Sequence, residues 1–213
     1  MPTLEHSPTE LIVFGKVAGV EAASYAKSVA KARAAGAVGT LAEASRRRAL
    51  ALVTPEGGRE RIATLRREMA QSMEEGCGIY RTTAAMQATC DKLAQLKERY
   101  KRVHVDDRSK AWNTEWLLAI ELGYLLDVAQ AMTHSALERR ESRGSHQRLD
   151  GFGERDDVNF LRHSLVWYAG DAPPRVSYGP VKITRSPPGT RAYGAAGERA
   201  EAAARNVQES VDV

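Results

Sequence analysis

Residues 82–100, TTAAMQATCDKLAQLKERY, are the stretch that decides the fold. Their larger apolar side chains recur every three or four residues, at Met86, Cys90, Leu93, Leu96 and Tyr100. This spacing puts them on one face of an α-helix, and Thr82 can cap the helix because its hydroxyl accepts from a free backbone N–H. We therefore expect a helix with one buried face, on which Cys90 acts as a small buried hydrophobe.

Two neighbouring segments predict helices that pack beside this one. Residues 59–76 repeat apolar side chains at helical spacing, at Ile62, Leu65, Met69 and Met73. After a polar turn, Asn113 or Thr114 caps the longest helix, with a predicted inward stripe of Leu117, Ile120, Tyr124, Val128 and Met132. Three amphipathic helices joined by short loops predict an up-and-down bundle over residues 55–145.

The regions on either side of the bundle differ from it in composition. Residues 1–54 predict two helices, the first opened by Pro8, and the run Thr54–Gly58 is a candidate boundary. Residues 146–193 predict an irregular unit with a β-hairpin, whose strands cover 165–168 and 176–184. Residues 194–213 predict a mobile tail. The expected fold class is mainly α, with a small C-terminal hairpin.

Composition excludes several function classes. The 31 basic and 27 acidic residues are interleaved, so the pI near 9.1 does not indicate a nucleic-acid track. Cys77 and Cys90 fit neither a metal knuckle nor a secreted disulfide framework, so a reducing cytoplasm is expected. We expect no export signal and no membrane span, because Glu121 and Asp127 interrupt the most apolar stretch.

The usual catalytic signatures are missing from the chain. There is no dinucleotide-binding GxGxxG, no phosphate-binding P-loop, no HExxH and no GxSxG. The five histidines are scattered, with no pair at metal-ligand spacing. The motifs therefore point to no metal site and single out no catalytic residue in this chain.

One polar cluster follows the bundle and admits two interpretations. Its candidate site residues are Arg143, His146, Arg148, Asp150, Arg155, Asp156, Asp157, Arg162 and His163. Guanidinium forks and a titratable imidazole could bind an anionic ligand or a partner protein. The same residues could instead form an ion-pair network that fixes an irregular segment to its neighbours.

Several motifs, in order and with matching gaps from about Ser7 to Tyr193, resemble one known family. They are EEGCGIYR (74–81), LKERY (96–100), NTE (113–115), IELG (120–123), ESRGSHQRLD (141–150), ERDDVNFL (154–161) and VKIT (181–184). They closely resemble the C-terminal region of the fumarate reductase flavoprotein subunit and of its relative, succinate dehydrogenase. The runs at 74–81 and 142–150 look more like the fumarate reductase branch.

The resemblance implies where chemistry lies in the family. The FAD-binding domain, the capping domain and the substrate residues lie upstream of the matched region, so FAD is the cofactor of the parent family and none is expected for this chain alone. Residues 1–54 then look like remnant helices ending an FAD-binding domain, plus a linker. Of the flavin-proximal Arg-Leu-Gly-x-Asn-Ser-Leu motif, only Ser7 has a match.

The resemblance also implies partners and a location. The chain would serve fumarate and succinate interconversion coupled to quinone through an iron-sulfur subunit, and through it membrane anchor subunits, at the cytoplasmic face of the plasma membrane. The isolated chain is expected to be inactive. The alternative hypothesis is a non-catalytic binding module that docks on an iron-sulfur subunit or assembly factor through Arg143–His163.

Overall fold

The computed structural model describes residues 7–29, 35–53, 58–109 and 111–184, with side chains from residue 11 and residue 38 onward in the first two ranges. The helices are α1 (Ser7–Ser28), α2 (Ala35–Ala51), α3 (Ile62–Cys77), α4 (Thr83–Tyr100), α5 (Thr114–Glu138) and the short α6 (Asp157–Phe160). The core of the predicted boundary at 54–57, the end of the predicted C-terminal unit at 185–193 and the predicted tail at 194–213 lie outside the described residues.

Four short strands form two separate pairs in the described part of the chain. Strands β1 (Tyr80–Arg81) and β2 (Gln147–Arg148) pair in parallel, which the sequence did not indicate. Strands β3 (Arg162–Trp167) and β4 (Arg175–Pro180) form the antiparallel hairpin. The prediction of a mainly helical chain with a small C-terminal strand pair is confirmed.

The chain divides into two compact units, and α3, α4 and α5 contribute residues to both. The first unit holds residues 1–66 and 98–124. In it, the Tyr100 hydroxyl donates to the Ala119 carbonyl at 2.9 Å. A Cβ on Gly123 would lie 2.6 Å from that hydroxyl, so only glycine allows this approach. The Trp116 indole N–H donates to the Ala49 carbonyl at 2.8 Å, which ties α2 to α5.

The second unit holds residues 67–97 and 125–213. The buried stripe of α4 has the predicted members Met86, Cys90, Leu93 and Leu96. Burial raises the pKa of the Cys90 thiol to about 11, so this cysteine stays protonated and packs as a hydrophobe, as expected. A Cβ on Gly76 would lie 2.0 Å from the Thr89 hydroxyl, so a glycine is required where α3 meets α4.

The predicted helix caps agree with the structure. The Thr82 hydroxyl accepts from the Ala85 N–H at 3.2 Å, at the start of α4. The Asn113 side-chain oxygen accepts from the Trp116 N–H at 2.7 Å and caps α5. Each bond satisfies one of the backbone donors that a helix N-terminus leaves free.

The predicted inward face of α5 is wrong. Leu117, Tyr124, Val128 and Met132 are exposed, and Ile120 is only half-buried. The buried face is offset around the helix and comprises Ala119, Leu122, Leu126, Ala129, Gln130, Thr133 and Ala136. The sequence pattern predicted the wrong face because α5 is apolar on two faces. Several residues of its buried face are small, so a search for large apolar side chains overlooks them.

Leucine truncations test which face of α5 is buried. We expect Leu126→Ala, at 0% exposure, to lower the free energy of unfolding by about 2–5 kcal/mol, because it leaves a cavity in a packed core. The matched Leu117→Ala, at 54% exposure, should cost well under half as much. Urea unfolding monitored by circular dichroism measures both. Equal losses of unfolding free energy would mean that Leu117 is as buried as Leu126, as the sequence pattern predicted.

Candidate functional site

Most of the candidate residues lie on the segment 141–162, which leads from the end of α5 to β3. The segment is largely irregular, with only β2 and α6 as regular elements. Irregular backbone lacks a hydrogen-bond ladder, so side chains must fix it. The structure shows three connected sets of contacts that do this.

The first set is the Glu141 cluster, defined as Arg139, Glu141, Arg143, Arg155 and Asp157. The Glu141 carboxylate is 0% exposed and accepts from Arg139 and, at 2.8 and 3.0 Å, from Arg143. Arg143 also donates to Asp157 at 2.6 Å, and Arg155 lies 2.8 Å from the other oxygen of Asp157. Two carboxylates and three guanidiniums thus form a continuous network.

Charge pairing keeps Glu141 ionised although it is buried. Burial alone would raise the pKa of this carboxyl. Hydrogen bonds from Arg143, from the Asp156 backbone N–H at 2.9 Å and from Arg139 outweigh burial and lower the pKa. The same contacts raise the pKa of Arg143, since its cation is held by Glu141 and Asp157.

The second set joins Arg148, Asp150 and Thr83. The Arg148 side chain is buried and donates to both oxygens of Asp150 at 2.8 Å, and its guanidinium stacks over Phe152 at 4.9 Å. Asp150 accepts at 2.6 Å from both the backbone N–H and the hydroxyl of Thr83, at the start of α4. The hydrogen bonds from Arg148 and Thr83 hold the pKa of Asp150 well below its usual range.

The third set surrounds His146, which is buried. Its Nδ1 lies 2.8 Å from Arg81 Nη1, and its Nε2 lies 3.0 Å from the Arg139 carbonyl oxygen. A guanidinium has no acceptor, so Nδ1 must accept, and the ring proton must be on Nε2 and donate to the carbonyl. Burial lowers the pKa of His146, and the positive charges of Arg81, Arg148 and Arg139 add to the effect. The ring is therefore neutral at pH 7.

The side chains of the remaining candidate residues lie outside the three sets of contacts, although the Asp156 backbone N–H donates to Glu141. Asp156 caps α6 through the Asn159 N–H at 2.9 Å. His163 is exposed on β3, paired in the ladder with Gly179. The Arg162 guanidinium lies 5.4 Å from the Tyr178 ring centre. Ser7 is the first residue of α1.

Two residues that position the segment were missed as site candidates. Arg139 donates to Glu141 and also to the Phe160 and Arg162 carbonyls, at 3.0 and 2.6 Å, which holds the base of the hairpin against the end of α5. Arg81 donates to the Gly78 and Cys77 carbonyls, at 2.6 and 2.9 Å, at the end of α3. The only feature of the sequence that indicated such contacts is the alternation of charge at Arg139, Glu141 and Arg143.

The arrangement is suited to holding the backbone, since its charges meet one another. Glu141 pairs with Arg143, and Arg148 pairs with Asp150, which also accepts from Thr83. Within the described ranges, no group of histidine, cysteine and acidic side chains could hold a metal ion. The described geometry thus matches the ion-pair interpretation, and a partner-binding role for Arg143–His163 stays a prediction.

Comparisons with known proteins agree on one family. The family model for the C-terminal region of the fumarate reductase flavoprotein matches residues 66–193. The fumarate reductase flavoprotein subunit of Haemophilus influenzae is 50% identical over 207 residues, which are 94% of this chain and 33% of that subunit. The succinate dehydrogenase flavoprotein subunit of Coxiella burnetii is 33% identical over 178 residues, 84% of this chain and 29% of that subunit.

A solved structure shows the same likeness in three dimensions. A structure of Escherichia coli quinol fumarate reductase is similar with a TM-score of 0.80 and 49% identity, and the match covers 86% of this chain and 31% of that chain. The chain thus spans about a third of the length of the relatives that it matches. None of its described helices is long and apolar enough to cross a membrane.

A charge-removing variant tests the Glu141 cluster. We expect Glu141→Gln to lower the free energy of unfolding by about 3 kcal/mol, because it removes the anion that the partly buried guanidiniums of Arg139 and Arg143 share. Glu154→Gln, an exposed residue of the same segment, should change it by less than about 0.5 kcal/mol. Urea unfolding measures the free energy of unfolding of both variants. Similar losses in the two would mean that the Glu141 cluster contributes no more to stability than an exposed carboxylate.

Acid unfolding tests Asp150. Its pKa is lower in the folded chain than the ordinary 3.8, so its stabilising effect is complete above pH 3.8 and is lost as the pH falls through the folded value. We expect Asp150→Asn to flatten the fall of unfolding free energy between pH 5 and 2. The control is Asp91→Asn, which removes an exposed carboxylate on α4 and should leave the slope closer to the original. An unchanged slope in Asp150→Asn would contradict the assigned role.

Proposed function

Because this chain belongs to the family of fumarate reductase flavoprotein C-terminal regions, we propose that it acts as the C-terminal part of a fumarate reductase flavoprotein subunit. The reaction served is the interconversion of fumarate and succinate, coupled to quinone through an iron-sulfur subunit. One observation carries this proposal: 50% identity over 94% of the chain to a fumarate reductase flavoprotein, against 33% to a succinate dehydrogenase flavoprotein.

In this proposal the chain does not itself bind FAD. A pyrophosphate group is bound by backbone N–H groups at a glycine-rich turn before a helix, and the sequence has no such fingerprint. A groove of about 370 Å³ bordered by α3 and α4 is lined by two carboxylates, Glu68 and Glu75, against one cation, Lys92. In this proposal, FAD and the dicarboxylate are bound by the part of the subunit that the chain does not span.

The role of this chain is then to complete the packing of a larger subunit. Every described side chain of α1 is exposed, including Leu11, Phe14 and Tyr25. A free helix with apolar residues on all sides is barely stable in water, since most helical stability comes from packing. These exposed residues support a partner surface, and we propose that the remainder of the subunit covers it.

The exposed stripe of α5 supports the same role. Leu117 and Tyr124 in the first unit, and Val128 and Met132 in the second, are all at least half exposed. Burying apolar surface releases about 25 cal/mol per Å², so covering four such side chains stabilises an assembly by several kcal/mol. Partners outside the subunit would be the iron-sulfur subunit and, through it, membrane anchors at the cytoplasmic face of the membrane.

A binding module remains the second candidate, and one observation favours it. Leu149 and Val158 are among the exposed large apolar residues and lie on the segment that the Glu141 and Arg148 contacts hold in place. Apolar side chains presented on a rigid backbone make good anchors for a partner. Retention of the chain by a tagged iron-sulfur subunit in the absence of the rest of the flavoprotein would favour this candidate over the first.

Catalysis tests the first candidate directly. We expect the purified chain to show no flavin absorbance and no fumarate reduction with reduced viologen, because the groups that bind flavin and substrate lie in the unmatched part of the family. The Escherichia coli flavoprotein subunit, assayed in parallel, serves as the positive control. Robust turnover by the chain alone would overturn the proposal.

Complementation tests the packing role of α1. We expect the chain to restore fumarate reduction when expressed with a fumarate reductase flavoprotein that lacks the matched C-terminal third. Phe14→Glu should abolish rescue because it puts a charge on the apolar surface, whereas Lys16→Glu, a charge change at an exposed polar position of α1, should preserve most of it. If both variants fold and neither Phe14→Glu nor Lys16→Glu restores activity, the loss is not specific to the apolar residues of α1, and the assigned surface is wrong.

A further inference from the structure

His146 is a buried titratable group to which the proposed function assigns no role. It lies in the turn between Ser142 and β2, where its own backbone N–H and carbonyl exchange hydrogen bonds with Arg143, at 3.0 and 2.9 Å. Its ring bridges Arg81, next to the end of α3, and the carbonyl of Arg139, next to the end of α5. One side chain thus links three separate parts of the second unit.

The charged groups that act on the ring are all cationic. Arg81 approaches from β1, Arg148 from β2, and Arg139 from the residues that follow α5. Cys77, at the end of α3, lines the cavity beside the ring. The nearby carboxylates Glu141 and Asp150 hydrogen-bond to guanidiniums and backbone. Within the described residues, no carboxylate hydrogen-bonds to the imidazole.

We propose that His146 is a proton-sensitive latch that holds residues 142–149 against β1 while its ring is neutral. Protonation removes the Nδ1 lone pair that accepts from Arg81, and it places an Nδ1–H donor and a positive charge opposite the guanidinium, itself a cationic donor. The Arg81 contact is then repulsive, and the ring leaves its place. This inference is independent of the proposed function, since it depends only on the contacts of the folded chain.

The surroundings of the ring allow such a movement. A cavity of about 220 Å³ borders the ring and is lined also by Met132, Ser135 and Ala136, so an imidazolium can turn toward water. The pairing of β1 with β2 covers only two residues in each strand. Its flanking bonds, from Gln147 N–H to the Ile79 carbonyl and from Leu149 N–H to the Arg81 carbonyl, are the ones that opening would break.

The opening is local because the neighbouring ion pairs survive at mildly acidic pH. The pKa values of Glu141 and Asp150 are both lowered, so these carboxylates stay ionised at pH 5. Asp150 therefore still accepts from Thr83 and holds the chain beyond residue 149 at the start of α4. Opening therefore separates β2 from β1, while the Glu141 cluster keeps its own contacts.

Amide hydrogen exchange of the full chain tests the latch. The sign follows from linkage: the folded pKa of His146 lies below 6.5, so the opened state binds the proton more tightly, and opening becomes easier as the pH falls below 6.5. We expect the protection factors of the Gln147 and Leu149 amides, corrected for intrinsic exchange, to fall steadily as the pH is lowered from 7.5 to 5.0. Unchanged protection over this range overturns the proposal.

Two variants separate His146 from other titrating groups. His146→Gln keeps a neutral donor and acceptor but cannot titrate, so it should make the two protection factors independent of pH. His163→Gln removes an exposed histidine on β3 and should leave the wild-type pH dependence in place. The same pH-dependent loss in His146→Gln overturns the proposal.

A measurement on the unmodified chain decides the matter even if His146→Gln does not fold. The ring carbons and nitrogens of His146, followed by NMR, report its protonation in the native state. We expect Nε2 to carry the proton at pH 7.5, and the fall in amide protection to follow protonation of the ring. Titration of the ring with no change in protection would overturn the proposal.

Discussion

The buried carboxylate of Glu141 is the contact on which the C-terminal part of the structure depends. A charge without water around it is costly unless cations and hydrogen-bond donors surround it, and Arg139, Arg143 and the Asp156 N–H supply them. Each donor lies on a different part of the segment. Because Glu141 must keep all three, the end of α5, the turn that follows and the start of α6 are held together.

Arg139 extends this constraint to the hairpin. A two-stranded sheet is marginal in water by itself, and β3 pairs only with β4 among the described strands. The bonds from Arg139 to the Phe160 and Arg162 carbonyls satisfy backbone groups at the hairpin base, and the Tyr178 hydroxyl donates to the Glu138 carbonyl at 3.3 Å. The hairpin therefore owes its position to the same guanidinium that neutralises Glu141.

The parts of this fold that follow local rules could be predicted from the sequence, and those that depend on distant partners could not. The buried stripe of α4 and the caps Thr82 and Asn113 are set by neighbours within four residues. The buried face of α5 was misjudged because both of its faces are apolar, and only packing chooses between them. The parallel pairing of β1 with β2 joins residues more than sixty positions apart, which no periodicity records.

The same distinction explains the candidate site. Sequence composition found the charged residues, but charge alone does not show whether a guanidinium meets a ligand or a carboxylate of its own chain. Here Arg143 and Arg148 meet Glu141 and Asp150, so binding an external anion would have to displace an internal one that is already partly desolvated. That competition favours a structural role for the arginines. Under the proposed function, the exposed apolar surfaces of α1 and α5 are the features through which this chain would pack on the rest of a larger subunit.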